Sequence, residues 1–150
     1  MDTLSSNPTF VVYVVVALML CANVLFLWSY SGAVRGKTKT AINPEDAARF
    51  GAALADVDPP EVARVLRAHR NAQAAIYPFL FLGLVFVLLG GSAGTATIIF
   101  GTFVVARILH SVVYLGARQP WRTLFFVAGA LATGALMVDI LVLLVRASGH

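Results

Sequence analysis

The sequence predicts an all-α integral membrane protein built as a bundle of four transmembrane helices. Hydrophobic residues make up 59% and charged residues 12% of its 150 residues, whereas soluble domains contain about 45–50% apolar and about 25% charged residues. Four apolar segments each have close to the ~20 residues that a helix needs to cross a membrane. A chain of this composition cannot bury its apolar surface in one globular core. We therefore expect a single membrane domain over residues 1–150.

Each span is justified by its own pattern. Asn23 alone interrupts the first, which also contains the single cysteine, Cys21, expected to be a small buried side chain. The apolar part of the second span is short, so its helix must begin near Asp58-Pro59-Pro60, because proline is tolerated in a first helical turn. Pro120 precedes the fourth span. The predicted spans cover about residues 10–31, 60–89, 95–115 and 121–145, with a basic loop over residues 32–59.

The basic residues predict the orientation of the chain in the membrane. The segment before the first span has no Lys or Arg, and the connection between the second and third spans has no charge. The positive-inside rule therefore places the basic loops in the cytoplasm and both termini on the other side. Only Arg146, near the C-terminus, counts against this orientation. We expect the membrane to be a bacterial inner membrane or the endoplasmic reticulum. The basic loop residues are Arg35, Lys37, Lys39, Arg49 and Arg118.

Cationic and hydrogen-bonding side chains recur every three or four residues along the second and third spans. This spacing places them on one face of each helix. Basic residues also stand at the same end of the first and fourth spans, so all four helices bring cations to one leaflet. The residues are Arg64, Arg67, Arg70 and Asn71 in the second span, Arg107, His110 and Tyr114 in the third, Arg122 and Thr123 in the fourth, and Arg35 after the first.

These cations predict a pocket for an anion. Arg64 and Arg118 are better explained as arginines that snorkel to lipid phosphates. Arg107 is deeper, and a charge within a span costs on the order of 3 kcal/mol, so a functional role is the default interpretation. Arginine matches planar oxyanions, which favours a ligand with several carboxylates or phosphates, and the apolar walls favour a lipophilic second partner from the bilayer. We expect no metal site, because no His, Cys or carboxylate cluster has ligand spacing, and no nucleic-acid partner.

Four motifs in this order resemble the MAPEG family, the membrane-associated proteins in eicosanoid and glutathione metabolism. Within it the chain is most similar to the microsomal prostaglandin E synthase type, over about residues 32–126. The motifs are INPEDAARFGA (residues 42–52), VLRAHRNAQAAIYPFLFLG (65–83), RILHSVVYLG (107–116) and QPWRTLFF (119–126).

The resemblance implies a homotrimer with glutathione at each subunit interface, near the cytoplasmic face and among membrane lipids. It implies that Arg122 stabilises the glutathione thiolate, that Thr123 supplies a hydroxyl near the sulfur, and that Asp46 assists through Arg122. Two departures weaken glutathione contacts, since Ala74 replaces a glutamate and Phe126 replaces a tyrosine. The implied glutathione-binding residues are Arg35, Arg67, Arg70, Asn71, Arg107, His110 and Tyr114.

The sequence thus predicts a glutathione-dependent membrane enzyme. Adjacent positive charge lowers the pKa of a thiol and creates a nucleophile. The thiolate is expected to act on a lipophilic electrophile, hydroperoxide or endoperoxide, as a transferase, peroxidase or prostaglandin E synthase-like isomerase. The alternatives are a non-catalytic lipid-binding or scaffold protein on the same fold, and, third, a small transporter. Asn23 is expected to form an interhelical hydrogen bond, and Asp139 lies outside the predicted site.

Overall fold

The computed structural model describes residues 4–148. Over this range a 3₁₀ turn at Leu4–Ser6 is followed by five α-helices and two short strands. The elements are α1 (Pro8–Thr38), β1 (Thr40–Ala41), α2 (Pro44–Phe50), β2 (Ala53–Leu54), α3 (Pro60–Leu88), α4 (Ala93–Leu115) and α5 (Trp121–Ser148).

Within the described part of the chain, α1, α3, α4 and α5 are long and apolar enough to cross a membrane. The predicted all-α, four-helix membrane fold is confirmed. The largest difference in a boundary is at the end of α1, which continues to Thr38 instead of ending near residue 31. Arg35 and Lys37 therefore lie in the last turns of a helix, where positive side chains interact favourably with the helix dipole. Lys39 ends the helix in the left-handed conformation, with φ of 50°.

The segment between α1 and α3 is folded rather than irregular. β1 and β2 pair in parallel, with Thr40 opposite Ala53. The short helix α2 connects them and ends at Gly51, whose φ of 59° suits a residue without a Cβ. This folded segment places Asp46 in the first turn of α2, beside the end of α1.

The bundle core is aromatic and lies between α1, α3 and α4. Phe79 of α3 packs on Phe100 and Phe103 of α4, and all three are almost fully buried. Among the described residues, α5 packs against α4 and α3 but does not contact α1. This arrangement places the start of α5 beside the end of α4, where the predicted cations lie.

Two expectations for α1 have different outcomes. Asn23 Nδ2 donates to Ser111 Oγ on α4 at 3.1 Å, which confirms the interhelical hydrogen bond. Cys21 was expected to be buried, and this prediction is wrong because its side chain is exposed. It lies two residues before Asn23, on a face of α1 turned away from α3 and α4. An apolar sequence around a cysteine is therefore as consistent with a side chain that faces lipid or another subunit as with a buried one.

Candidate functional site

Side chains of α4 and α5 meet at the basic end of the bundle. The guanidinium carbon of Arg122 lies over the Tyr114 ring, 4.8 Å from its centroid. Tyr114 packs edge-on against His110, whose ring also lies 6.4 Å from that of Phe126. A cation over a tyrosine face is attracted by the ring quadrupole. This contact fixes Arg122 at the junction of the two helices.

Gln119, which the sequence reasoning did not include, holds the other side of Arg122. The hydrogen bonds around its amide orient the oxygen to accept from Arg122 Nη2 at 2.7 Å. The amide nitrogen then donates to Thr123 Oγ1 at 3.2 Å. The sequence could have indicated Gln119, because it belongs to the same QPWR motif as Arg122. We name this set the α4–α5 cluster: His110, Tyr114, Gln119, Arg122 and Thr123.

Arg107 lies deeper, one turn before His110. It is 1% exposed, and its Nη2 donates to Asn71 Oδ1 at 2.8 Å and to the Asn71 carbonyl at 3.3 Å. Its Nε is buried and has no hydrogen-bond partner among the described residues. Ser111 donates to the Arg107 carbonyl and accepts from Asn23, so this part of the bundle is braced from α1. Asn71 is therefore held by Arg107, and its amide nitrogen remains available to a ligand.

Arg35 and Asp46 lie in a different place. Both line a cavity of about 390 Å³ between the end of α1 and the α2 segment. Arg35 Nη2 also donates to Asp58 Oδ1 at 2.9 Å, an ion pair that the sequence did not predict. We name Arg35, Asp46 and Asp58 the α1–loop cluster. In it Arg35 is paired with Asp58, and Asp46 lines the same cavity as Arg35, whereas the α4–α5 cluster has no carboxylate among the described residues that form it.

Within one chain the two clusters are not joined. Asp46 accepts a hydrogen bond from Asn43 at 3.1 Å. In the described range, α2 contacts only β1 and β2, and α5 contacts only α3 and α4. The single subunit therefore does not bring Asp46 to Arg122. The predicted link between these residues stays a prediction.

The remaining predicted residues lie on α3. Arg67 and Arg70 are exposed, and neither has a hydrogen-bond or ion-pair partner among residues 4–148. Ala74 lies on the same helix and lines an open groove with Asn71 and Arg107. A carboxylate at position 74 would thus stand near Arg107 as well as near Arg70. Over the described residues, no group of three or more His, Cys, Asp or Glu side chains is placed to hold a metal ion.

The arrangement can stabilise an anion next to a hydroxyl group. Arg122 carries the charge, Gln119 and Tyr114 fix its position, and Thr123 places an oxygen beside it. Cations and hydrogen-bond donors that are fixed before a ligand binds stabilise developing negative charge without reorganisation. The α4–α5 cluster is therefore suited to an ionised group such as a thiolate.

Comparison with known proteins gives consistent relatives. The MAPEG family model matches residues 13–142. Prostaglandin E synthase from Homo sapiens is 40% identical over 131 residues, which cover 83% of this chain and 86% of that protein. The enzyme of the same name from Equus caballus is 40% identical over 130 residues, covering 83% and 85%. Microsomal glutathione S-transferase 1 from Rattus norvegicus is 38% identical over 132 residues, covering 84% of each chain.

Proposed function

The chain belongs to the MAPEG family, and from this premise we propose that it is a glutathione-dependent membrane enzyme. A relative named for glutathione transfer supports thiol chemistry, and relatives named for prostaglandin E synthesis support a lipophilic substrate. In the proposed reaction, a glutathione thiolate attacks a lipophilic electrophile, hydroperoxide or endoperoxide that arrives through the bilayer. The protein is thus proposed to be a transferase, peroxidase or isomerase.

One observation carries the proposal, the fixed and unneutralised charge of Arg122. Its guanidinium is held by Tyr114 and Gln119, and no carboxylate pairs with it among the described residues. A cation beside a thiol lowers the pKa of that thiol and raises the fraction of thiolate. Thr123 Oγ1, which accepts from the Gln119 amide nitrogen, is proposed to donate to the same sulfur. Arg122 and Thr123 are accordingly proposed to act on the reacting atom.

The other predicted residues are proposed to hold the glutathione backbone. Arg70, His110 and Asn71 surround the same end of the bundle from α3 and α4. Arg107 acts through Asn71, because its bond to Asn71 Oδ1 leaves the amide nitrogen free to donate to a ligand. Arg67 and Tyr114 complete this half of the binding site.

The second half is proposed to come from another copy. Arg35 and Asp46 belong to the α1–loop cluster, which one chain keeps away from Arg122. A neighbouring subunit that presents this cluster would add a cation for a glutathione carboxylate. A stripe on α3 supports assembly, since alternating steps of three and four residues are typical of helices that pack on one another. Its members are all exposed: Arg67, Arg70, Ala74, Tyr77, Phe81, Leu84 and Leu88. We propose a homotrimer.

The test follows thiolate absorbance against pH for the purified protein with saturating glutathione. Arg122→Leu is expected to raise the apparent pKa of the bound thiol by at least one unit. One unit means about tenfold less thiolate near neutral pH. The dissociation constant of glutathione should change much less, because the carboxylates are gripped elsewhere. Thr123→Val removes one neutral hydrogen bond and should have a smaller effect.

Arg118→Leu is the matched control, since Arg118 is an exposed arginine four residues earlier in the chain. It should titrate like the unmodified protein. An unchanged titration curve in Arg122→Leu would assign thiol activation to another residue. The absence of glutathione binding with retained affinity for lipids would favour the second candidate, a non-catalytic lipid-binding protein, for which the apolar groove beside Ala74 and Phe126 is the supporting observation.

A further inference from the structure

A groove opens at the basic end of the bundle, between the last turns of α1, the first turns of α3 and the end of α4. Its volume is about 440 Å³. None of the residues that line it belongs to the α4–α5 cluster, the α1–loop cluster or the proposed glutathione contacts. We name it the Lys37–Arg64 groove. Its lining includes Tyr30, Val34 and Lys37 from α1, Glu61 and Arg64 from α3, and Leu115 from α4.

Three charged side chains in this groove have no partner within the chain. The side chains of Lys37, Glu61 and Arg64 form no hydrogen bond or ion pair within residues 4–148. Glu61 and Arg64 are three residues apart on α3, a spacing at which opposite charges often pair. Over the described range, however, the ion pair is the one between Arg35 and Asp58. Two positive charges and one negative charge are therefore free to meet a ligand.

The groove lies at the level of the lipid headgroups. Tyr30 lines it seven residues before Lys37, so α1 rises about 10 Å between them. Tyr30 and the exposed Trp28 end the apolar run of α1, and such aromatic residues are typical of the membrane–water interface. Val34 and Leu115 supply apolar walls. The groove thus combines charges at headgroup level with walls that acyl chains can follow into the bilayer.

The number and signs of the charges match a phosphoethanolamine headgroup. Its phosphodiester carries one negative charge, which Arg64 can bind through two parallel N–H groups and Lys37 as a point charge. Its ammonium carries one positive charge and three N–H donors, for which Glu61 supplies an acceptor. A choline headgroup keeps the positive charge but has no N–H donor, and a glycerol headgroup has no positive charge. The carboxylate of Glu61 therefore distinguishes the three headgroups.

We propose that the Lys37–Arg64 groove binds phosphatidylethanolamine, with the phosphate between Lys37 and Arg64 and the ammonium on Glu61. Lys37 is in the last turn of α1, whereas Glu61 and Arg64 are in the first turns of α3. A bound headgroup thus joins the end of one helix to the start of the other. The acyl chains leave along Val34 and Tyr30 into the adjacent leaflet. The lipid is a resident partner of the fold and takes no part in the thiol chemistry.

The first experiment compares three phospholipids with identical dioleoyl chains and ethanolamine, choline or glycerol headgroups. Each is titrated into purified, delipidated protein in detergent, without glutathione, and binding is followed by native mass spectrometry. Phosphatidylethanolamine is expected to bind about three- to fivefold more tightly than either of the others, because the exposed Glu61 adds an ion pair of modest strength. Equal affinities for the ethanolamine and choline lipids, or tightest binding of the glycerol lipid, would overturn the proposal.

The second experiment removes the negative charge from the groove. Glu61→Gln should abolish the preference for the ethanolamine lipid over the choline lipid and leave the affinity for the choline lipid within about twofold. Glu45→Gln is the matched control, since Glu45 is an exposed glutamate of α2 that does not line the groove, and it should keep the preference. A preference that survives in Glu61→Gln would mean that headgroup size decides, and the ammonium would not be bound by Glu61.

The third experiment removes a positive charge. Arg64→Leu should weaken the ethanolamine and choline lipids alike by about fivefold or more, because both carry the same phosphodiester. Arg49→Leu, which changes an exposed arginine of α2, should leave both affinities unchanged. Intact lipid binding in Arg64→Leu together with a changed oligomeric state would mean that a second copy covers the groove, and the proposal would be wrong.

A competition experiment separates a lipid from a soluble phosphate ester. Free phosphoethanolamine, added in about a hundredfold excess over the lipid, should not displace phosphatidylethanolamine, because it lacks the acyl chains that contact the apolar walls. Displacement by the free headgroup would assign the groove to a soluble ligand and refute the lipid. Glutathione takes no part in these measurements, so their failure is distinguishable from failure of the proposed enzyme.

Discussion

The α4–α5 cluster and the α1–loop cluster are both cationic ends of membrane helices, yet their charges are arranged differently. Arg122 is held by an aromatic face and an amide, so its charge is fixed but not neutralised. Arg35 is paired with the Asp58 carboxylate at 2.9 Å. The first arrangement suits stabilisation of an anion that forms during a reaction. The second suits a side chain held ready at a surface until another molecule meets it.

The largest expected effect tests whether the two clusters act together across subunits. Arg122→Leu and Arg35→Ala should each lose most glutathione-dependent turnover of a chloronitrobenzene electrophile. Coexpression of the two variants should restore activity, because random mixing in the proposed cyclic trimer places two intact halves at about a quarter of the interfaces. Mixed protein that is no more active than the two separate variants would place each complete site within one subunit.

In the half of the proposed site that α3, α4 and α5 form, the hydrogen bond from Arg107 to the Asn71 side chain can be removed. Asn71→Leu leaves a buried guanidinium without its side-chain acceptor and should destabilise the protein by about 2–3 kcal/mol. The measurement is thermal unfolding in detergent. Gln73→Leu, two residues away, removes an exposed hydrogen bond to Tyr77 and should change stability by no more than about 0.5 kcal/mol. Similar losses in both variants would show that Arg107 is satisfied without Asn71.

In the α1–loop cluster the corresponding change should be mild. Asp58→Asn removes the ion pair of a partly exposed Arg35, and such pairs contribute about 1 kcal/mol or less. We expect KM for glutathione to rise about threefold with kcat unchanged, since Arg35 is proposed to bind a carboxylate and not to touch the sulfur. Asp58→Glu should restore part of the affinity. A fall in kcat at constant KM would contradict this assignment.

The smallest expected effect concerns the hydrogen bond that joins α1 to α4 near the α4–α5 cluster. Asn23→Leu removes the hydrogen bond to Ser111, and interhelical hydrogen bonds in membranes are worth about 0.6 kcal/mol on average. Unfolding in detergent should show a loss of this size, and glutathione affinity should not change. A clear loss of affinity would mean that the position of α1 controls the site through Ser111 and Arg107.

The four helices and the end of the bundle that carries the cations were predictable, because both depend on local features. An apolar run of sufficient length crosses a membrane whatever it packs against. A spacing of three or four residues places side chains on one face of a helix, as for His110 and Tyr114. The family resemblance followed from short contiguous motifs, and the matching family model confirms it.

Local patterns do not fix the rotation of one helix against another, and each missed feature depends on that rotation. It turned Cys21 outward, placed Asn71 rather than a carboxylate on Arg107, and left a groove beside Ala74. The folded segment after α1 likewise separated Asp46 from Arg122 within one chain. The sequence by itself determined the spans, the family and the residues that carry charge. Only the tertiary structure decided which charges are paired, because close packing of side chains from different helices sets those contacts.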